Sequence, residues 1–220
     1  MEVDLLLVLP SLFFSSLVVT GVITPIFRKI AIKFEVWDSP NAAHKTHKEP
    51  VPYLGGLAII LGVTVVVFLG IWISGNFKST HLVVISCLLP EILMAFVGLL
   101  DDILNLSPWP RFVAQTLAGL ATSWVLIQSN TKGALFNSDF INIVITVIWI
   151  VGLCNAVNFF DNIDGGASGS IAISTAGISV ISLISQQYYV GALASVVSGA
   201  CIGFLLWNRN PAKIYMGDAG

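Results

Sequence analysis

The sequence predicts an all-α fold: a polytopic membrane bundle of about seven transmembrane helices, with its N-terminus outside. Three observations point there. Of 220 residues 56% are hydrophobic and 10% charged, with a mean hydropathy of +0.90. Soluble domains carry about 25% charged residues, so this chain cannot coat a water-facing surface. Apolar runs of about 20 residues, the length that crosses a hydrocarbon core as a helix, recur along it. The connections between these runs alternate between strongly basic and nearly uncharged.

The first run, 5–27, has no basic region before it and is longer than the core of a signal peptide, so it reads as a retained span. Runs 54–73 and 82–100 follow, then the shorter 112–127 and the strongly apolar 140–160. The last two, 167–184 and 190–207, are rich in Gly, Ser and Ala, residues that let helices approach closely in lipid. The whole of 1–220 is predicted to form one transmembrane domain. Cys87, Cys154 and Cys201 lie inside apolar runs without metal-ligand spacing and read as small apolar fillers. No basic domain interleaved with aromatics points to nucleic acid.

Alternate connections fall on opposite sides of the bilayer. One side carries Arg28, Lys29, Lys33, Lys45, Lys48, Arg111, Arg209 and Lys213; the other carries Lys78 and Lys132. Basic residues mark the cytoplasmic side, in an inner or plasma membrane, which leaves the N-terminus outside. Asp101, Asp102, Asp161, Asp164 and Asp218 lie at or just beyond the ends of the third, fifth and seventh runs. Topology alone therefore brings five carboxylates from distant parts of the chain to one membrane face.

Four stretches carry candidate chemistry. In Gly98-Leu99-Leu100-Asp101-Asp102, adjacent carboxylates need a divalent cation, a cationic partner or protonation to sit at a membrane edge. The competing reading is two solvated acids ending a helix, which the helix dipole opposes. In the stretch 155–166, Asn155, Asn158, Asp161 and Asp164 recur every three residues, a drifting stripe if helical, and Gly165-Gly166 then breaks the helix. These side chains offer hydrogen bonds to a nucleotide or oxygen ligands to Mg²⁺; an interhelical polar stripe with a cap is the alternative. In 210–220, Lys213 suits a phosphate and Asp218 stands between small residues, or the segment is an ordinary juxtamembrane turn. In 37–56, His44, Lys45, His47 and Lys48 precede Pro52 and Gly55-Gly56; they bind either substrate phosphates or anionic lipid. Glu91, beside Pro90 within the third run, reads as an interhelical hydrogen-bond partner.

Taken in order, the loop His47…Pro52…Gly55-Gly56, Gly98–Asp102, Arg111-Phe112-Val113-Ala114-Gln115, Asn155–Gly165 and Pro211–Gly220 resemble the polyprenyl-phosphate N-acetylhexosamine-1-phosphate transferase family. This family includes initiators of cell-envelope glycans and the phospho-MurNAc-pentapeptide translocase. The start Trp37-Asp38-Ser39-Pro40-Asn41 is more similar to the initiators. The resemblance implies transfer of a sugar 1-phosphate, such as N-acetylglucosamine 1-phosphate, from a UDP-sugar to polyprenyl phosphate. UMP is released, and Mg²⁺ or Mn²⁺ is required. It further implies that Asp101 and Asp102 bind or activate the acceptor, and that Asp218, with Asp161, holds the metal. Asn158, Asp161 and Asp164 would contact nucleotide or metal, while Lys45, His47, Lys48 and Lys213 would attend phosphates. It also admits a homodimer.

Asn162 stands where the family usually has Gly, which bears on loop geometry. The sequence stops at Gly220 within a motif that the family continues. Further spans and a His-rich loop are expected beyond it, and the 220-residue piece alone is expected to be inactive. Two other classes compete with this reading. A CDP-alcohol phosphotransferase would need an Arg shortly after the Gly pair and further spaced Asp residues, which 165–184 lacks. A transporter or channel would place acids near the bilayer midplane, where only Glu91 lies. The charge asymmetry yields a direct test. In intact cells an impermeant thiol reagent should modify Cys placed at position 78 and leave Cys at position 45 silent; the reverse pattern would invert the topology.

Overall fold

The computed structural model describes residues 5–38, 50–75, 77–104, 106–128, 136–161 and 163–220. Seven helices account for nearly all of them: α1 (Leu5–Lys33), α2 (Gly55–Ser74), α3 (Phe77–Leu104), α4 (Pro108–Gln128), α5 (Asp139–Phe160), α6 (Gly166–Ile184) and α7 (Tyr188–Asn208). The fold is the all-α polytopic membrane bundle that the composition predicts. Among the described residues five helices, α1, α2, α5, α6 and α7, are long and apolar enough to cross a membrane. α3 and α4 have 28 and 21 residues. At 1.5 Å per residue their lengths are about 42 and 32 Å, so neither is too short for a core of about 30 Å.

Two helix ends bear on the site, and the first of them lies beyond its apolar run. α1 runs six residues beyond Phe27, through Arg28, Lys29 and Lys33, because no breaker intervenes before Glu35 adopts φ 57°. α5 stops at Phe160, so the three-residue stripe of Asn and Asp leaves the helix there. The Ile163 and Gly166 N–H groups then bond the Phe160 and Ile163 carbonyls in successive turns, at 3.2 and 2.7 Å. A short antiparallel ladder that the sequence did not announce pairs β1 (Trp37–Asp38) with β2 (Val51–Pro52), in the register Trp37↔Pro52.

α7 is the centre of the bundle, packed on α1, α6 and α2. Its seam with α1 repeats every four residues on both helices, which makes the two parallel. Ser195 Oγ donates to the Leu9 carbonyl at 2.7 Å, and Trp207 Nε1 donates to the Gly21 carbonyl at 3.0 Å. Between them Gly199 lies against the Phe13 carbonyl and Gly203 against the Leu17 carbonyl, so close that a Cβ on either would overlap backbone. In lipid no hydrophobic drive holds helices together; close packing of small residues and interhelical hydrogen bonds do, each bond contributing about 0.6 kcal/mol on average. α6 is joined to α7 in the same manner, with Ser198 Oγ on the Ala172 carbonyl (2.8 Å) and Ser179 Oγ on the Gly191 carbonyl (2.9 Å).

The α1–α7 seam predicts opposite outcomes for two kinds of glycine. Gly199→Ala or Gly203→Ala should lower the thermal midpoint in detergent, since overpacking against backbone costs about 1–3 kcal/mol. Gly177→Ala should leave it level or raise it, because nothing lies within 4 Å of the added methyl. Equal midpoints for all three variants would remove the seam as a determinant of stability.

Candidate active site

Asp101 and Asp102 occupy the last turn of α3, and Arg111 the first turn of α4 after a short connection. Pro108 opens α4 at a position where its missing N–H removes no helical bond. A carboxylate at a helix C-terminus and a guanidinium at an N-terminus both oppose their dipoles. Placing the two ends side by side lets each charge compensate the other. Arg111 Nη2 donates to Asp101 Oδ2, and also to Asp218 Oδ2 at 2.6 Å. Asn158 Nδ2, from α5, donates to the other oxygen of Asp218. The Asp218 N–H donates to Asp102 Oδ1 at 3.0 Å. Asp101 is 6% exposed, so its charge depends on Arg111 rather than on water.

The segment after α7 supplies Asp218, and its path is set by a chain of polar contacts. Asn208 is buried. Its Oδ1 accepts from the Gly165 N–H (3.0 Å) and Ser168 Oγ (3.1 Å), while its Nδ2 donates to the Ile214 carbonyl (3.0 Å). The segment turns back over the bundle end with Ile214, Met216 and Ala219 buried. Tyr215 bridges to Tyr53, and its N–H donates to the Pro52 carbonyl at 2.9 Å. The Tyr215 and Met216 carbonyls accept the Gly55 and Gly56 N–H groups (3.0 and 2.8 Å), donors that the start of α2 would otherwise leave unpaired. Gly217 takes φ 74°, and a Cβ there would lie 2.7 Å from Asp102 Oδ2. Gly98 gives the same segment room on α3, since a Cβ would collide with the Asp218 carbonyl.

The sequence-predicted residues divide in this setting. Asp101, Asp102, Asn158 and Asp218 meet in one cluster. Asp161 caps α5 through its N–H on the Val157 and Asn158 carbonyls. Asp164 faces the return segment instead: one carboxylate oxygen accepts the Ala212 N–H (3.0 Å), the other the Tyr215 hydroxyl (3.2 Å). Lys213 holds its Nζ 5.7 Å from the Trp207 ring, and its carbonyl accepts from Arg28 Nε at 2.9 Å. Lys45, His47 and Lys48 lie outside the described residues.

Three contributors carried no role in the sequence reading. Arg111 was only one cation among eight, although a lone cation opening a helix directly after two acids was a legible signal. Tyr53 donates its hydroxyl to the Asp102 carbonyl at 2.7 Å, and Gln115 accepts from Asn155 Nδ2 at 2.8 Å. Tyr53 had no local signature, and Gln115 closed the family-like stretch Arg111–Gln115 without an assigned role. Among the described residues no three His, Cys, Asp or Glu side chains converge on one point as a ready-made metal cage. Removing Arg111 would leave Asp101 as a buried charge without its partner, a change that costs about 3–5 kcal/mol for fully buried pairs. Arg111 is 27% exposed, which lowers that figure. Arg111→Met should therefore lower the thermal midpoint clearly, and Asp101→Asn in the same background should recover part of the loss. No change in the midpoint with Arg111→Met would contradict the ion pair.

The chain is similar to known proteins of one family. Residues 83–220 match the family model described as glycosyl transferase family 4. The chain is 34% identical over 217 residues to a Bacillus subtilis (strain 168) protein named "Probable undecaprenyl-phosphate N-acetylglucosaminyl 1-phosphate transferase", covering 94% of this chain and 58% of that protein. It is 32% identical over 223 residues to the phospho-N-acetylmuramoyl-pentapeptide-transferase of Streptococcus uberis, covering 93% of this chain and 66% of that one. It is also 32% identical over 223 residues to the decaprenyl-phosphate N-acetylglucosaminephosphotransferase of Mycolicibacterium smegmatis, covering 92% and 54%. The chain thus spans a little over half to two thirds of the length of these relatives. The matched model takes in α3 through the return segment, which hold Asp101, Asp102, Arg111, Asn158 and Asp218, and the chain belongs to glycosyl transferase family 4.

Proposed function

We propose that the complete protein transfers a sugar 1-phosphate, N-acetylglucosamine 1-phosphate or a related N-acetylhexosamine phosphate, from a UDP-sugar to polyprenyl phosphate. The product is a polyprenyl-diphosphate sugar, UMP leaves, and the reaction starts a cell-envelope glycan. One observation carries the reading: in a chain of this family, three aspartates, an arginine and an asparagine from four segments converge at one end of a membrane bundle. At such an end a lipid acceptor held in the bilayer can meet a water-soluble donor. The Lys/Arg asymmetry supports a cytoplasmic position for that end. No observation favours the transporter reading.

Phosphoryl transfer asks for positioning and charge neutralisation more than for covalent work by the protein. An oxygen of the lipid phosphate attacks the sugar-bearing phosphorus of the donor. A new P–O bond forms there, and the bond from that phosphorus to the bridging oxygen breaks, with the electron pair leaving on UMP. In this reading Asp101 and Asp102 orient the acceptor and take up its remaining proton. Asn158 and Asp161 bind the donor, and Lys213, with Lys45, His47 and Lys48, attends its phosphates. Asp164 keeps the return segment in place, and any contact with donor would replace one of its present bonds.

A divalent cation fits the donor set, which is all carboxylate and amide oxygen; Mg²⁺ needs only one or two carboxylates because it retains water ligands. Asp218, with Asp161, would hold it. When bound, Mg²⁺ or Mn²⁺ would offset diphosphate charge and polarise the phosphoryl group. Arg111 already supplies positive charge between Asp101 and Asp218, so the acidic cluster need not repel anionic substrates entirely.

The test is to incubate the complete protein in detergent with polyprenyl phosphate and a panel of UDP-sugars and to measure UMP. Release with one N-acetylhexosamine donor is expected, and none with any donor would refute the reading. Asp101→Asn, Asp102→Asn and Asp218→Asn should each lower turnover by at least about 100-fold, the scale of losing one charge-stabilising group in a preorganised site. EDTA should abolish activity and Mg²⁺ or Mn²⁺ restore it, with Asp218→Asn weakening the apparent metal affinity more than the acceptor affinity.

A further inference from the structure

α5 is weakly anchored in the bundle. None of its residues is buried, and it packs chiefly on α4 with only a slight contact to α6. Yet it carries Asn158, which must reach Asp218 on a segment held by α2, α3 and α7. Something must fix α5 against α4 to within hydrogen-bond tolerance. One turn along from the acidic cluster, Asn155 Nδ2 donates to Gln115 Oε1 at 2.8 Å. Gln115 is 3% exposed. On α4, Gln115 lies four residues after Arg111; on α5, Asn155 lies three before Asn158. Each pair therefore shares a helix face. The amide pair and the Arg111–Asp218–Asn158 contacts are consecutive rungs between the same elements.

We propose that Gln115 and Asn155 are positioning residues, whose half-buried hydrogen bond, with Gln115 on its buried side, sets the register of α5 on α4 so that Asn158 and Arg111 meet Asp218 together. Two features make this bond directional. Asn155 Nδ2 also donates to the Val151 carbonyl at 2.8 Å on its own helix, which fixes the amide orientation before it crosses to α4. Slippage along the seam would leave a buried amide unpaired, and that penalty exceeds the net gain of the bond itself. Further from the cluster the seam is apolar, with Gly119 facing Val147. The inference rests on the transferase reading only for its effect on turnover.

The test uses the complete protein in lipid nanodiscs, with Gln115→Ala, Asn155→Ala, the double variant and the reciprocal exchange Gln115→Asn with Asn155→Gln. Each single variant should lower kcat by about 10-fold or more, since small misplacements of aligned groups cost that much or more. The double variant should be no worse than either single one, and the exchange should recover most of the rate. Additive losses, wild-type kcat in the single variants, or no recovery in the exchange would overturn the proposal, because a general loss of stability would not be cured by exchanging the amides. A second readout needs no activity. Spin labels at exposed Leu153 and Leu206, with native cysteines replaced, should give one narrow distance distribution in the parent and a broader one in Gln115→Ala. An unchanged distribution would reject the brace even if the parent released no UMP, a result that would reject the transferase reading instead.

Discussion

The reversal of the chain after Asn208 is the constraint on which the site depends. One buried amide joins the start of α6, the end of α7 and the Ile214 carbonyl, so three segments share a single hydrogen-bonding side chain. From there the return segment runs under the start of α2, capping its first N–H groups with the Tyr215 and Met216 carbonyls. Both partners gain. The helix end would otherwise present unpaired donors, and the segment would otherwise bury unpaired acceptors. Asp218 reaches the end of α3 as a result, and two small residues, Gly98 and Gly217, leave the space it needs.

Electrostatics then decides what the site can hold. Three carboxylates in one cluster would repel one another and resist removal from water. The structure meets this with one guanidinium shared by Asp101 and Asp218, one amide on the other Asp218 oxygen and one backbone N–H on Asp102. Arg111 Nε remains buried without a hydrogen-bond partner among the described residues. One guanidinium faces three carboxylates, so the cluster is only partly compensated.

The rest of the bundle serves as a frame whose stiffness comes from small residues. α1 and α7 meet through Ser195, Gly199, Gly203 and Trp207 at four-residue intervals, with two hydrogen bonds to backbone carbonyls. α6 adds two more through Ser198 and Ser179. This trio is compact, whereas α4 and α5 stand beside it with much of their apolar surface outward. The site lies where the two parts meet, and its groups come from both.

Much of this was legible in the sequence. Length and apolarity of the runs determine the all-helical bundle, because in lipid a chain must satisfy its backbone internally and a helix does so within one segment. Alternation of the runs then carries Asp101, Asp102, Asp161, Asp164 and Asp218 to one end without any knowledge of packing. What the sequence could not supply were relations between segments distant along the chain. A three-residue stripe cannot reveal that Asn158 turns to Asp218 while Asp164 turns to Tyr215, since the helix ends between them at Phe160. Nor can it show that Arg111 bridges Asp101 and Asp218, or pair Gln115 with Asn155. Those choices depend on which side chains share a few ångströms of space, and only the packing of helix against helix and the return of the chain over α2 and α3 fixes that space.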